Sequence, residues 1–295
     1  MTDKICLICH RKSANEPYVK QAVKAVRKQG IELRVLVPFN KAEKPRVVRE
    51  AIDRGAERII AGGGDGTINA VANALIGDGK TRPATELGIF PLGTANDFAR
   101  GLGLPSDNLD ECLSIACTRD SRPIDVGVMN DRFFINVASA GFGAEITATT
   151  PVNLKKALGG GAYTLMGLVK ALQLTPYRGQ LLVPGEQPLD STMLFMAVGN
   201  NHYAGGGFDV APNAKLDDGL LDLTAISLEP GASLVDLRNE LDKPMDPGNK
   251  HVFYRQLAEF TIQSERKMHC NLDGEPILKK KFRFRVLPRH LSVVY

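Results

Sequence analysis

The stretch Ile59-Ile60-Ala61-Gly62-Gly63-Gly64-Asp65-Gly66-Thr67 constrains the fold more than any other part of the chain. A short apolar run of the kind buried in a sheet feeds four glycines in five positions, and Ile68, Val71, Ala72 and Leu75 then recur at helical spacing. The reading is strand, tight turn, helix. Glycine is required where a backbone takes positive φ or approaches a ligand closely, and the exposed N–H groups at a helix start favour an anion. A phosphate is the expected occupant. Two familiar phosphate loops are excluded by residue type. A P-loop needs Gly-Lys-Ser/Thr, whereas Thr67 follows Gly66 directly, and a dinucleotide fingerprint begun at Gly62 and Gly64 needs a third glycine where Thr67 stands. Asp65 is an anion inside a loop suited to anions; it either orients the loop or meets a metal accompanying the phosphates. A plain strand-to-helix joint with a capping aspartate is the alternative without a ligand.

The segments before this turn repeat the same alternation. Ile5 to Cys9 reads as a strand, and Pro17 opens a helix with Val19, Ala22, Val23 and Val26 on one face before Gly30. Leu33 to Val37 is a second strand, and a second helix runs from Pro45 to Arg54 with Val47, Val48, Ala51 and Ile52 inward before Gly55. Repeated βαβ units imply a parallel sheet whose ligands gather at the carboxyl ends of the strands. A fourth strand, Leu87 to Phe90, runs into Pro91-Leu92-Gly93-Thr94-Ala95-Asn96-Asp97-Phe98-Ala99-Arg100, which again joins an apolar run to a glycine turn and a helix start. Thr94 can donate to a phosphate, and Asn96 or Asp97 can cap the helix or orient the loop.

The composition bounds the rest. With 295 residues, 43% hydrophobic and 24% charged, the chain has material for one large or two ordinary globular domains. Met1-Thr2-Asp3-Lys4 runs into an apolar stretch too short for a signal-peptide core, and no segment approaches the ~18 apolar residues of a membrane span, so a cytoplasmic location is expected. A net charge of +4 argues against a dedicated nucleic-acid binder and permits contact with an acidic membrane surface. Five cysteines without a secretory signal do not suggest a disulfide framework. Cys6-Leu7-Ile8-Cys9-His10 matches a covalent haem-attachment pattern, but residues three apart in a strand face opposite ways, so buried strand cysteines are the better reading. The five histidines, His10, His202, His251, His269 and His290, show no metal-ligand spacing.

After Arg122 the pattern changes to short strand candidates: Pro123 to Met129, Arg132 to Ala138, Arg178 to Val183, Thr192 to Val198, Leu220 to Ile226, Phe260 to Gln263 and Phe282 to Val286. A second domain rich in antiparallel strands is expected from about Asp125. Within it, Leu154 to Leu174 reads as helical, with Lys155, Lys156 and Lys170 beside apolar positions and Gly159-Gly160-Gly161 interrupting the pattern. That segment either packs over a sheet or lies at a bilayer surface. Lys279-Lys280-Lys281 continues into Phe282-Arg283-Phe284-Arg285, the alternation of a half-exposed strand.

The pair Gly63-Gly64-Asp65-Gly66-Thr67 and Pro91-Leu92-Gly93-Thr94-Ala95-Asn96-Asp97-Phe98-Ala99 resembles the diacylglycerol kinase catalytic domain, particularly that of the bacterial YegS-like lipid kinases. The resemblance extends along nearly the whole chain, through Asn200 with Gly205-Gly206-Gly207, Pro212-Asn213-Ala214, Asp218-Gly219-Leu220-Leu221-Asp222 and Asn271-Leu272-Asp273-Gly274-Glu275-Pro276. It implies an α/β nucleotide-binding domain over 1–124, a β-sandwich lipid or substrate domain over 125–285 with the active-site cleft between the two, and a segment over 286–295 returning towards the first domain.

The activity implied is transfer of the γ-phosphate of ATP, with magnesium, to a hydroxyl of a membrane lipid, diacylglycerol- or phosphatidylglycerol-like, by a cytoplasmic protein that meets the inner face of the membrane transiently. The cofactor-binding set is then Gly62, Gly63, Gly64, Asp65, Gly66, Thr67, Ile68 and Asn69 with Thr94. The base that accepts the lipid hydroxyl's proton is Glu275, with Asp273 its local rival, and Asp65 acts beside ATP. A structural magnesium would use Asp218 and the carbonyls of Lys215 and Leu220. One departure stands out: where relatives often place a threonine after the second strand to contact ATP, this chain has Pro38, with Asn40 as a substitute. The rival readings are an NAD kinase, which shares Gly-Gly-Asp-Gly-Thr but not the second loop, and a regulatory protein that binds a nucleotide without turnover. A sphingosine-type kinase fits less well, because that group usually carries a serine-glycine version of the second loop.

Overall fold

The computed structural model describes residues 4–141, 176–227, 234–273 and 275–295 and divides into two compact units. The first runs to Val126 and takes in Leu216–Asp218 and Leu287–Tyr295; the second comprises Gly127–Lys215 and Gly219–Val286. The segment Leu154 to Leu174, with its glycine run, lies outside the described residues.

In the first unit, β1 (Ile5–Cys9), β2 (Leu33–Leu36), β3 (Arg58–Gly63) and β4 (Glu86–Pro91) form a parallel sheet in the order β2-β1-β3-β4. Val293 and Val294 add a further parallel pairing on Leu87 and Gly88. The strands are almost continuously apolar because both faces are covered. Short α1 (Arg11–Asn15) and α2 (Pro17–Lys28) follow β1, α3 (Lys44–Asp53) follows β2, α4 (Asp65–Ile76) follows β3, and α5 (Asp97–Gly101) and α6 (Leu109–Thr118) follow β4. From β1 the chain moves outward to β2, then doubles back past β1 to β3. Right-handed crossovers in opposite directions put α2 and α3 on opposite faces of the sheet. Accordingly α2 packs with α6, and α3 with α4. The reversal falls between β1 and β3, whose carboxyl ends are where such sheets place ligands.

Late parts of the chain are tied into this unit by Asp125. Its fully buried carboxylate accepts the Arg289 amide at 2.6 Å, and its own N–H donates to the Leu216 carbonyl at 2.5 Å. Arg289 holds φ +49, a left-handed conformation that this bond helps to fix. The run Cys6 to His10 spans β1 and the cap of α1. Cys6 and Cys9 are buried in β1 and form no disulfide, burial raises the Cys9 thiol to about 11, and His10 caps α1 by accepting the Lys12 amide at 3.2 Å.

The second unit is antiparallel. Its elements are the end of β5 (Ser121–Met129), then β6 (Arg132–Phe134), β7 (Val137–Gly141), β8 (Tyr177–Leu182), β9 (Leu189–Met193), β10 (Phe195–Gly199), the small pair β11 (Tyr203–Ala204) and β12 (Phe208–Asp209), β13 (Leu221–Ile226), α7 (Leu234–Asp242), β14 (Val252–Leu257), β15 (Glu259–Leu272) and β16 (Glu275–Val294), whose residues to Val286 belong here. One layer runs β14-β13-β10-β7-β15. The register of β15 on β16 slips between Gln263 and Met268; before the slip β15 also pairs with β8, and after it with β7. The β15–β16 hairpin therefore passes from one layer of a sandwich to the other. Their inner faces meet in a core of Phe260, Ile262, Phe282 and Phe284 with Met196, Val198, Leu221 and Leu223. Phe260 stacks on Phe284 at 5.0 Å between centroids.

Along β16, Phe282 and Phe284 are buried while Lys281, Arg283 and Arg285 are exposed, as the alternation required. The single strand expected over Arg132 to Ala138 is instead two, β6 and β7, separated at Ile135 and Asn136. The reason is a side chain 138 positions from Ile135: the Asp273 carboxylate takes the amides of this break.

Candidate active site

The glycine turn leaves β3 and the second loop leaves β4 at neighbouring positions, since Gly63 is paired with Pro91 and the Leu92 amide donates to the Gly63 carbonyl at 3.0 Å. The loops then touch. A Cβ on Gly64 would lie 3.1 Å from the Cα of Gly93, and one on Gly93 would overlap the Cα of Gly64 and the Asn96 amide oxygen. Glycine is needed at both places because two backbones meet there.

Hydrogen bonds lock this contact. Asn96 stands in the left-handed region at φ 50 and closes its own loop, accepting the Gly93 N–H at 2.8 Å and donating to the Gly93 carbonyl at 3.0 Å. Asp65 reaches across from the other loop: its Oδ2 accepts the Asp97 amide at 3.2 Å and its Oδ1 the Phe98 amide at 2.9 Å. The first donors of α5 are thus capped by a residue outside the helix, and the carboxylate also sits favourably at the positive end of α4.

At the start of α4, Gly64 occupies the cap position without a side chain, and its carbonyl accepts from Thr67 at 2.7 Å and Ile68 at 3.1 Å. The N–H groups of Asp65 and Gly66 donate to no protein acceptor among the described residues. Gly66 is exposed, has no positive φ, and would meet nothing within 4 Å if given a Cβ. Its lack of a side chain is therefore not demanded by the packing. Thr94 is exposed on the second loop. Ile68 lies wholly in the core, and the buried Asn69 accepts from Asn73 Nδ2 at 2.7 Å.

Lys44 escaped the sequence reading. It is the first residue of α3, is 5% exposed, and places Nζ 3.0 Å from the Thr67 hydroxyl of the glycine turn. The available signal was its position, because a lysine in the first turn of a helix opposes the macrodipole. Asn40, expected as a substitute for the missing threonine after β2, uses its side-chain oxygen to accept the amides of Ala42 and Glu43 at 2.9 and 3.2 Å.

In the second unit the two late carboxylates have different surroundings. Asp273 is buried at φ 45, and its oxygens accept the amides of Ile135 at 2.9 Å, Asn136 at 3.4 Å and Val137 at 3.0 Å. Asn200, fully buried, donates to the Ile135 carbonyl at 3.0 Å, so the break between β6 and β7 is held from two sides. Glu275 is exposed, with Oε2 3.5 Å from Arg132. The Asp273 carboxylate thus holds three amides, whereas Glu275 is accessible. Asp222, from the motif beginning at Asp218, is buried and accepts from the Tyr254 hydroxyl and from Gln256 at 3.1 Å; burial and this charge push the Tyr254 phenol far above its usual range.

Lys215, Asp218 and Leu220 lie on one tight turn with Gly219 at φ 76; Asp218 is exposed. One carboxylate and two carbonyls are hard oxygen donors of the kind magnesium accepts. Among the described residues no three His, Cys, Asp or Glu side chains converge as a metal-binding group, and no helix is long and apolar enough to cross a membrane.

Comparison with known proteins fits this arrangement. Residues 4–129 match the diacylglycerol kinase catalytic domain, and residues 136–295 match the YegS C-terminal NAD kinase beta sandwich-like domain. A relative from Chromohalobacter salexigens, named "Probable lipid kinase YegS-like", is 45% identical over 293 residues, covering 97% of this chain and 91% of the relative. A solved diacylglycerol kinase structure from Bacillus anthracis shares the fold with a TM-score of 0.79 at 23% identity, over 99% of this chain and 97% of that one. An NAD kinase from Archaeoglobus fulgidus, solved with ATP, aligns over 99% of this chain and 93% of its own with a TM-score of 0.54 at 12% identity. With both of its domains matched in order and a relative this similar over nearly its full length, the chain belongs to the YegS-like lipid kinases of the diacylglycerol kinase family.

Proposed function

We propose that the protein transfers the γ-phosphate of ATP to a free hydroxyl of a membrane lipid of the diacylglycerol or phosphatidylglycerol kind. The observation that carries this reading is the interlock at the glycine turn. Asp65 is spent on the amides of Asp97 and Phe98, while the N–H groups of Asp65 and Gly66 donate to no protein acceptor among the described residues, beside open space at Gly66. A polyphosphate chain supplies the acceptors such donors need. Thr94, exposed on the partner loop, adds a hydroxyl donor.

Phosphoryl transfer asks little covalent work of a protein: charge must be neutralised and the nucleophile positioned. In the proposed step the lipid oxygen bonds to the γ-phosphorus, the bond from that phosphorus to the bridging oxygen breaks, and ADP leaves. Glu275 accepts the hydroxyl proton, while Asp273 holds the turn that carries it. Magnesium, when bound with ATP, offsets phosphate charge, and Asp65 orients the two loops. A second magnesium fits Asp218 with the carbonyls of Lys215 and Leu220, where it would tie down the turn. Contact with the bilayer is transient, helped by the exposed Lys279, Lys280 and Lys281 at about 1 kcal/mol each near anionic lipid.

Incubation with ATP radiolabelled at the γ-position, magnesium, a panel of extracted lipids and NAD tests the reading. Label is expected in a lipid bearing a free hydroxyl. Label in NAD and no lipid refutes the acceptor, and ATP binding without transfer to anything marks a nucleotide sensor instead.

A further inference from the structure

The charge of this chain is unevenly placed. Residues 11–28, which span α1 and α2, hold six of the 37 lysines and arginines and one of the 33 aspartates and glutamates. The remaining residues, with 31 cations and 32 carboxylates, are close to neutral. The net +4 of the protein therefore comes from one helical segment of the first unit.

On α2 the cations share a face. Val19, Ala22, Val23 and Val26 are buried, while Lys20, Lys24 and Lys28 recur every fourth residue on the exposed side. Like charges four apart on a helix repel one another. Among the described residues none of these lysines is in an ion pair, and the segment's single carboxylate, Glu16, stands at the cap of α2. On α3, by contrast, Arg46 pairs with both Glu43 and Glu50. The helix macrodipole accounts for Lys28, in the last turn, and leaves Lys20 and Lys24 unexplained.

A groove of about 580 Å³ lies along this face, lined by Val19 and Val23 of α2, by Val35 of β2 and by the three lysines. The strand β2 is the last of the parallel sheet. Arg27 fastens the helix to it, its Nε and Nη2 donating to the Leu33 carbonyl at 3.2 and 2.7 Å. The guanidinium of α2 is thus engaged, and the cations left to solvent on this face are ammonium groups.

Ammonium groups on flexible stems beside an apolar strip match anionic headgroups above acyl chains, whose charges move laterally and impose no fixed hydrogen-bond geometry. Interfaces with proteins favour arginine and aromatic residues and are poor in lysine. We infer that the lysine face of α2 is the surface through which the first unit docks on an anionic phospholipid bilayer. For the bilayer, this rests on the reading that the acceptor is a membrane lipid. The face is distinct from Lys279, Lys280 and Lys281, which belong to the second unit.

Co-sedimentation of the full chain, without ATP, with phosphatidylcholine vesicles that contain or lack phosphatidylglycerol tests the inference. Wild type is expected to bind only the vesicles containing phosphatidylglycerol, and less as salt is raised. K20Q/K24Q/K28Q should bind them about a hundredfold more weakly, since each lysine near an anionic surface is worth about fivefold. Its urea midpoint should equal or exceed that of wild type, because the repulsion along α2 has gone. K20R/K24R/K28R keeps the charge and should bind within about twofold of wild type. K80Q/K243Q/K250Q removes the same charge from exposed positions elsewhere and should bind within about threefold of wild type. Binding by K20Q/K24Q/K28Q within about twofold of wild type overturns the inference, as does an equal loss in K80Q/K243Q/K250Q or a wild type that binds no vesicle. Transfer of label from ATP to lipid dispersed in detergent, measured on the same samples, keeps the two readings apart. Label in no lipid refutes the acceptor and leaves the vesicle result standing, whereas vesicle binding untouched in K20Q/K24Q/K28Q overturns the docking face even where label is transferred.

Discussion

Asp65 accepts the amide of Phe98 at 2.9 Å, a partner 33 positions along the chain. The cap of α5 is therefore supplied by the first turn of α4, and the two glycine loops hold each other in shape. Replacing Asp65 by alanine leaves the Asp97 and Phe98 amides without their acceptor, and removal of two charge-assisted bonds is expected to cost about 2–4 kcal/mol. Urea unfolding of D65A measures this. Phosphoryl transfer should fall by at least two orders of magnitude, because the donors proposed to meet the phosphates depend on the same shape. D65A with unchanged stability and turnover would show that the interlock supports neither the loops nor the chemistry.

The glycines separate into those the fold needs and one that it does not. G93A forces a methyl against the Gly64 backbone and should unfold at lower urea or fail to fold. G66A meets no protein atom, and alanine within a helix is favoured over glycine by about 0.5–1 kcal/mol, so this variant should be as stable as wild type or slightly more so. Its ATP affinity should nevertheless drop at least tenfold, because the methyl occupies space next to the first donors of α4. Retained affinity in G66A would mean that the phosphates lie elsewhere.

The late carboxylates should fail in opposite ways. D273A leaves three amides without acceptors in a buried place, an expected loss of about 3–5 kcal/mol in urea unfolding. E275Q removes an exposed charge whose ion pair with Arg132 is long and solvated, so its stability should stay within about 0.5 kcal/mol of wild type while lipid phosphorylation is lost. Normal turnover by E275Q would move the base to another residue.

Alkaline pH should weaken the fold through its thiols. Burial raises Cys9, Cys112 and Cys117 to about 11 and Cys270 to about 12, from a starting value of 9.0. A raised folded-state value means that the folded chain keeps protons the unfolded chain releases. Stability is thus fully present below about pH 9 and declines as pH rises towards 11, by up to about 1.4 kcal/mol per pH unit for each thiol. Urea midpoints at pH 8 and pH 10 check the slope, and thiol titration at neutral pH should find the five cysteines unreactive until denaturant is added.

The first unit was legible because each of its signals is local. Apolar runs of strand length, helical faces such as Val19, Ala22, Val23 and Val26, and the positive-φ glycines Gly30 and Gly55 all lie close to the structure they specify. The glycine turn and the second loop were legible as a pair for the same reason. What joins them was not, since the bonds from Asp65 to Asp97 and Phe98 depend on β3 and β4 lying side by side, which no periodicity encodes. Lys44 was hidden in the same way: its partner Thr67 is 23 positions on, and only folding brings them together. In the second unit the break between β6 and β7 could not be seen in an apolar run, because it is imposed by Asp273. The strand β14 was missed because Arg255 and Gln256 interrupt its pattern.

The pairing of Val293 and Val294 with Leu87 and Gly88 bears on how the chain is made. A ribosome releases β1 to β4 and their helices long before Val293 exists, so a nascent first unit presents β4 as an open edge while the whole second unit is still being translated. Asp125 likewise has its carboxylate in place well before the Arg289 amide arrives. Exposed edges of this kind pair readily with other chains. Productive biogenesis of this protein therefore depends on shielding that edge during synthesis, and substitutions that weaken the final strand should reduce the yield of soluble protein more than they reduce the stability of molecules that have completed folding.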